Sequence, residues 1–173
     1  RFPGKVLTNI NNITMLERVF NNAKKSSATE VFIATDSDKV FNSAKKYTKN
    51  VFMTSNKNVN GTERVAELAN ILKWKADTLV INLQADMPEL QYDNINLLAE
   101  KSTNNEGLST LYYDLENSKL KMSKNTVKIC IDGENINFCR LAEGNISDKI
   151  YKHIGIYGYY VKDLNSYKQL PQS

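Results

Sequence analysis

The sequence predicts an α/β fold, a three-layer α/β/α arrangement around a mainly parallel central sheet, with a smaller β-rich part. Three observations carry that reading. Segments of helical period alternate with short, apolar, β-branched runs as far as residue 90, and parallel neighbours need crossover connections, which are usually helical. Beyond residue 90 the alternation gives way to closely spaced strand-like runs. The run Val80, Ile81, Leu83 ends on Gln84 and Asp86, at the place where open α/β sheets bind ligands, outside the carboxyl ends of their strands.

Taken in order, Thr14 and Glu17 stand at capping-box spacing and Leu16, Val19, Phe20 and Ala23 form one stripe, so residues 14–25 predict an amphipathic helix. "EVFIATD" is a short apolar run closed by Asp36, as expected of a buried strand. "DKVFNSAKKY" returns to helical spacing through Val40, Phe41 and Ala44, and "NVFMT" is strand-like again. "GTERVAELANILKW" places Val65, Leu68, Ala69 and Leu72 at helical intervals, and "DTLVINLQAD" makes the next strand. A helix over 92–101 follows, then a strand in "GLSTLYYDL" and two runs flanking Asp132-Gly133 that predict a hairpin. "HIGIYGYYV" predicts a last strand and "LNSYKQL" the start of a helix. No internal repeat or Pro-rich linker divides residues 1–173, which are expected to form one domain.

No apolar run approaches the ~18 residues of a membrane span, and "RFPGKVLTNI" lacks the basic-then-apolar pattern of a secretory signal. The expectation is a cytoplasmic protein with no membrane partner. The net charge of +4 comes from lysines scattered among asparagines, without an arginine-rich stripe, so no nucleic-acid partner is expected. Cys130 and Cys139 are too few and too far apart for a disulfide framework or a Cys-x-x-Cys metal site, and read as buried thiols.

Four places carry candidate chemistry. Gln84 and Asp86 are two positions apart, hence on one side if the strand persists, and the carboxylate could hold Mg²⁺ against a phosphate; the alternative is that Asp86 caps a turn before Pro88. Arg1 and Lys5 bracket Pro3-Gly4, a turn that brings two cations near one another, although Lys5 also reads as an ordinary surface lysine. Asn60-Gly61-Thr62 lies between a strand and a helix, where Gly61 permits close backbone approach and Thr62 can cap the helix. His153 and Tyr157, four apart, fall on one face of a strand.

Six stretches, "RFPGK", "ATDSDKV", "VFMTSNKNVNGTERVAELA", "VINLQADMP", "VKICIDGENINFCR" and "HIGIYGYYV", together resemble the bacterial 3-deoxy-manno-octulosonate (Kdo) cytidylyltransferases, in that family's order and over most of the chain. The resemblance implies a nucleotide-diphospho-sugar transferase-like fold. It also implies attack of the anomeric hydroxyl of Kdo on the α-phosphate of CTP, giving CMP-Kdo and pyrophosphate with Mg²⁺, for lipopolysaccharide biosynthesis in a cytoplasmic homodimer. Lys5 and Asp86 take the catalytic positions, Asp86 as the metal ligand. Arg1, Asn60, Gly61, Thr62, Gln84, Arg140, His153 and Tyr157 take the substrate-binding ones. Within that set Asn60-Gly61-Thr62 matches the cytosine and ribose loop, and Arg140 an arginine for the sugar carboxylate, a role suited to a bidentate guanidinium.

The chain departs from the family pattern at Ala85 for Gly, Met87 for Glu and Cys139 for Ser, and in "VNGTER" where many members have Gln-Ser-Gly-Thr-Glu-Arg. The resemblance further implies a strand before "RFPGK", a second acidic metal ligand beyond residue 173, and a longer connection than "LAEGNISDKIYK" after Arg140. The expectation is therefore either a fragment of a longer polypeptide or a homologue of impaired activity. Two other functions fit the same residues: a silent binding or dimerisation subunit, or a CTP-dependent transferase for another acidic sugar.

Overall fold

The computed structural model describes residues 4–103, 105–115, 123–132, 135–140 and 149–167. They belong to two compact units, Arg1–Ser109 with Ile156–Ser173, and Thr110–Gly155.

The larger unit opens with a single 3-10 turn, Lys5–Leu7, entered through Gly4 at φ 77°, a left-handed conformation that costs glycine little. Strands β1 (Asn9–Ile10) and β2 (Ile13–Thr14) then form a minimal hairpin, Ile10 opposite Ile13. Its two-residue loop, Asn11-Asn12, has φ of 51° and 70°, as a type I′ turn requires and asparagine tolerates. The doublet between two isoleucines is the signal that finds this hairpin; the helical pattern alone passes over it.

Helix α1 (Met15–Ala23) is capped as its sequence predicts, Thr14 Oγ1 accepting from the Glu17 N–H at 3.1 Å. Its buried residues are the predicted stripe, Leu16, Val19, Phe20 and Ala23. Strand β3 (Ile33–Thr35), helix α2 (Asp38–Ala44) and strand β4 (Val51–Met53) form one βαβ unit with β3 and β4 parallel, Ala34 opposite Phe52. Leu16, Phe20, Ile33, Ala44 and Val51 close one core. Burying such side chains contributes ~1.5–3 kcal/mol each.

Helix α3 (Gly61–Ile71) packs on β3, on strand β5 (Leu79–Leu83) and on helix α5 (Val161–Tyr167). Helix α4 (Tyr92–Ser102) packs on β5 and α1. The second half of strand β9 (Lys149–Tyr160) pairs with β5, Leu83 opposite Ile156 and Asn82 opposite Tyr157. This ladder is antiparallel. The β3–β4 pair is parallel, whereas the β5–β9, β7–β8 and β7–β9 ladders are antiparallel, so the parallel character expected of the sheet holds in the first βαβ unit and not in these ladders. Hydrophobic periodicity reports which face of a strand is covered, not which strand lies beside it, and β5 takes as partner a strand far along the chain, Leu79 opposite Tyr160 and Leu83 opposite Ile156.

In the smaller unit, β7 (Lys128–Asp132) and β8 (Asn135–Cys139) form the predicted hairpin, Ile129 opposite Phe138. Its turn residues, 133 and 134, lie outside the described residues. The first half of β9 pairs with β7, Lys128 opposite Lys152, and β6 (Ser109–Asp114) also pairs with β9. Helix α5 begins earlier than "LNSYKQL" predicts, at Val161, and residues 168–173 lie outside the described set.

Candidate active site

Two distant segments meet at the end of β5. Lys5, just after the Gly4 turn, places its Nζ 3.1 Å from Asp86 Oδ2. Both side chains keep about half their surface in solvent, 51% for Lys5 and 42% for Asp86. The two catalytic candidates thus stand side by side, a cation and a carboxylate, both partly open to solvent.

Asp86 reaches Lys5 from a turn rather than from a strand. β5 stops at Leu83, and the Met87 N–H donates to the Gln84 carbonyl at 3.2 Å. Of the two readings of the sequence, a persisting strand or a turn before Pro88, the structure therefore has the turn, and Gln84 and Asp86 do not share a strand face. Both side chains are exposed in the turn. Ala85, which replaces the family's glycine, packs against the core of Leu16 and Phe20, so its methyl is accounted for by burial.

The other expected ligand loop is organised around the first turn of α3. Asn60 caps it, its Oδ1 accepting from the Glu63 N–H at 2.9 Å and its amide donating to the Tyr167 hydroxyl at 3.2 Å. The cap is therefore Asn60 and not Thr62, since an N-cap must precede the first helical residue and that residue is Gly61. A Cβ on Gly61 would meet Asn82 Nδ2 at an ordinary 3.6 Å, so the packing tolerates a side chain there. Thr62 and Asn82 stand near the Tyr159 hydroxyl, which is buried without closing a hydrogen bond of good geometry and whose ionisation is suppressed chiefly by burial.

The loop before Asn60 is braced from within α3. Glu67 accepts from the Ser55 N–H at 2.9 and 3.0 Å and from the Asn58 amide, while Glu63 accepts from the Val59 N–H at 3.0 Å. Arg64 donates to Thr54 Oγ1 at 2.7 Å and to Asp36 at 2.8 Å. Glu63 and Arg64 thus hold the loop, though each with a different partner and not with one another. Glu67 is a positioning residue the sequence reading missed; its signal is its place one helical turn after Glu63.

Arg1 lies outside the described residues. Tyr157 belongs to the larger unit, half buried, with its phenol pKa raised by burial. His153 and Arg140 belong to the smaller unit. His153 Nε2 lies 2.9 Å from Thr110 Oγ1, and its ring meets Phe138 edge-on at 5.1 Å. Burial holds its pKa below the ordinary imidazole value. The Arg140 side chain is exposed, and its carbonyl is held by a residue the sequence reading did not single out. That residue is Lys128, fully buried, whose ammonium donates to the carbonyls of Ser123, Thr126 and Arg140 at 2.8, 3.2 and 2.6 Å. A buried charge is tolerated only when it is so satisfied.

A carboxylate and a lysine after a strand end, with a helix amino terminus over the same strand, suit the binding of phosphates, which helix amino termini and cations receive, and the comparisons make the class that of a nucleotidyltransferase. The comparisons narrow the class: the chain belongs to the cytidylyltransferase family, whose profile matches residues 1–172. It is 36% identical over 178 residues to the 3-deoxy-manno-octulosonate cytidylyltransferase of Wigglesworthia glossinidia brevipalpis, covering 96% of this chain and 73% of that one. It is 37% identical over 169 residues to the enzyme of the same name from Fusobacterium nucleatum, covering 92% and 67%. A solved CMP:2-keto-3-deoxy-manno-octonic acid synthetase, complexed with CTP, superposes with a TM-score of 0.85 at 28% identity over all of this chain and 74% of that one. A Leptospira borgpetersenii cytidylyltransferase shares the fold, with a TM-score of 0.62 at 16% identity.

Proposed function

We propose that this protein transfers CMP from CTP to Kdo, releasing pyrophosphate, in the cytoplasmic stage of lipopolysaccharide biosynthesis. The observation that carries the reading is the Lys5–Asp86 contact, 3.1 Å across 81 positions of sequence, in a chain whose relatives bear that activity in their names.

The chemistry asks little covalent work of the protein and much positioning. Lys5, with Arg1 four positions before it in sequence, offers positive charge to the triphosphate. The first turn of α3 presents the Gly61 and Thr62 backbone to the nucleoside, with Asn60 fixing the loop that carries it. In the roles the family resemblance implies, Gln84 contacts the sugar, the Arg140 guanidinium donates two hydrogen bonds to its carboxylate, and His153 and Tyr157 line its hydroxyl groups. The anomeric hydroxyl then attacks the α-phosphorus, and the bond to the bridging oxygen breaks to release pyrophosphate.

Asp86 fits a magnesium ligand: it is exposed, Lys5 engages only its Oδ2, and no cluster of three acidic, His or Cys side chains occurs among the described residues. Magnesium commonly takes one or two carboxylates and completes its shell with water and substrate phosphates. When bound, it supplies charge neutralisation at the phosphate oxygens. A homodimer is what the family resemblance implies, and Ile136 and Phe138, exposed two positions apart on strand β8, offer it apolar surface; sedimentation of the protein reads it directly.

The test is pyrophosphate release with CTP, Kdo and Mg²⁺. Turnover with Kdo preferred over other acidic sugars is expected. CTP binding without turnover would instead indicate a silent subunit, and preference for another acidic sugar would reassign the acceptor. Arg140→Lys is expected to raise KM for Kdo more than for CTP; an equal rise would remove the carboxylate contact.

A further inference from the structure

The two cysteines, nine positions apart, are brought together by the β7–β8 hairpin. Cys130 lies opposite Asn137 and Cys139 opposite Lys128, so the pair is diagonal on adjacent strands and on one face. Their Sγ atoms stand 2.7 Å apart. Both are free and half buried, rather than the fully buried thiols that their sequence spacing suggests.

Sulfurs this close need to approach only from 2.7 Å to the ~2.05 Å of a disulfide, by side-chain rotation and a small shift of the two strands. Neither belongs to the groups assigned to substrate, and nothing in the transfer chemistry calls for a thiol. Cys139 directly precedes Arg140, and Lys128, opposite Cys139, holds the Arg140 carbonyl. The pair therefore sits at the root of the segment that carries the exposed guanidinium.

We propose that Cys130 and Cys139 form an oxidation site, a cross-strand dithiol that a low-molecular-weight disulfide converts reversibly to an intramolecular disulfide. The Cys139 thiolate attacks one sulfur of the reagent, forming a mixed disulfide and releasing one reagent thiolate. The Cys130 thiolate then attacks Cys139 Sγ and expels the second. Two electrons pass from the protein sulfurs to the reagent, and the two thiol protons end on the two released thiolates. Burial, with the neighbouring Cys139, pushes the Cys130 thiol up to about 11. Closure through the Cys130 thiolate is thus favoured as pH rises. A diagonal pair lies further apart than directly opposed residues, so the bond is strained and readily reduced.

The test incubates the full chain under native conditions with glutathione disulfide, then alkylates free thiols and maps peptides by mass. The expected product has lost two hydrogens, links the peptides of Cys130 and Cys139, resists alkylation at both, and reverts with dithiothreitol. Cys130→Ser should leave a glutathione adduct standing on Cys139. Alkylation of both cysteines after prolonged exposure, a persistent glutathione adduct on the unsubstituted chain, or a disulfide between two copies of the chain would each overturn the proposal. Because the readout is mass and not turnover, its outcome is independent of the assigned reaction.

Discussion

Lys5 and Lys128 present the same ammonium group in opposite circumstances. Lys5 stands half exposed against one carboxylate, whereas Lys128 is fully enclosed against three carbonyls. An exposed pair such as Lys5–Asp86 contributes only ~0.2–1 kcal/mol to folding and is screened by salt. Removing a buried ammonium that satisfies three carbonyls takes that hydrogen bond from each; the Ser123 carbonyl keeps the Thr126 N–H at 3.3 Å, and a buried group left unpaired costs ~1–3 kcal/mol. The difference teaches that the pair with little to do for stability is the one free to exchange partners with a ligand. The lysine a ligand never touches is the one the smaller unit depends on.

Ordered by size, the ways to break this contrast begin with Asp86→Asn, which should lower turnover of the complete enzyme about a hundredfold or more, ~2.7 kcal/mol in the transition state. Its melting temperature should stay that of the parent; a large drop in stability would make the ion pair structural. Lys128→Met should destabilise the protein by ~2–3 kcal/mol in denaturant titration, while Lys5→Met stays within ~0.5 kcal/mol. Equal losses would erase the distinction. Lys128→Met should also raise KM for the acidic sugar more than KM for CTP, with Lys128→Arg closer to the parent.

Asn60→Ala should cost about 1 kcal/mol as a lost cap, and should raise KM for CTP because the same side chain fixes the Gly61 loop. The smallest effect concerns pH. Burial lowers the folded pKa of His153, so the unfolded chain takes up a proton first as pH falls through the ordinary imidazole value of about 6.5. Stability held above that value is lost below it. Melts from about pH 7.5 to about pH 5.5 should show a slope that His153→Gln flattens; an unchanged slope would assign it to other groups.

Much of the larger unit was legible because single elements carry their own signals. The stripe of α1 and its Thr14 cap were read residue for residue, and Leu68 and Ala69 of α3 are buried as predicted, with Ala66 in place of Val65 and Leu72. What failed needed partners. The sequence left open whether the chain turns at Gln84–Met87, and it points to Thr62 as the cap, two positions beyond Asn60. Lys128 is a lone cation within "TVKICID", where polarity predicts an outward side chain, and only the carbonyls gathered around it reverse that expectation. Likewise, the hairpin was legible, but the meeting of Cys130 and Cys139 depends on register, which a shift of one residue would undo.

The central claim is that Asp86 at the end of β5 serves a metal-dependent transfer of CMP to Kdo. Pyrophosphate release by the complete protein with CTP and Kdo, titrated with Mg²⁺, tests it most directly when the parent and Asp86→Asn are run side by side. Magnesium-dependent release by the parent, nearly abolished in an equally stable Asp86→Asn protein, is the predicted result. Undiminished release by that variant at the same magnesium concentration would contradict it.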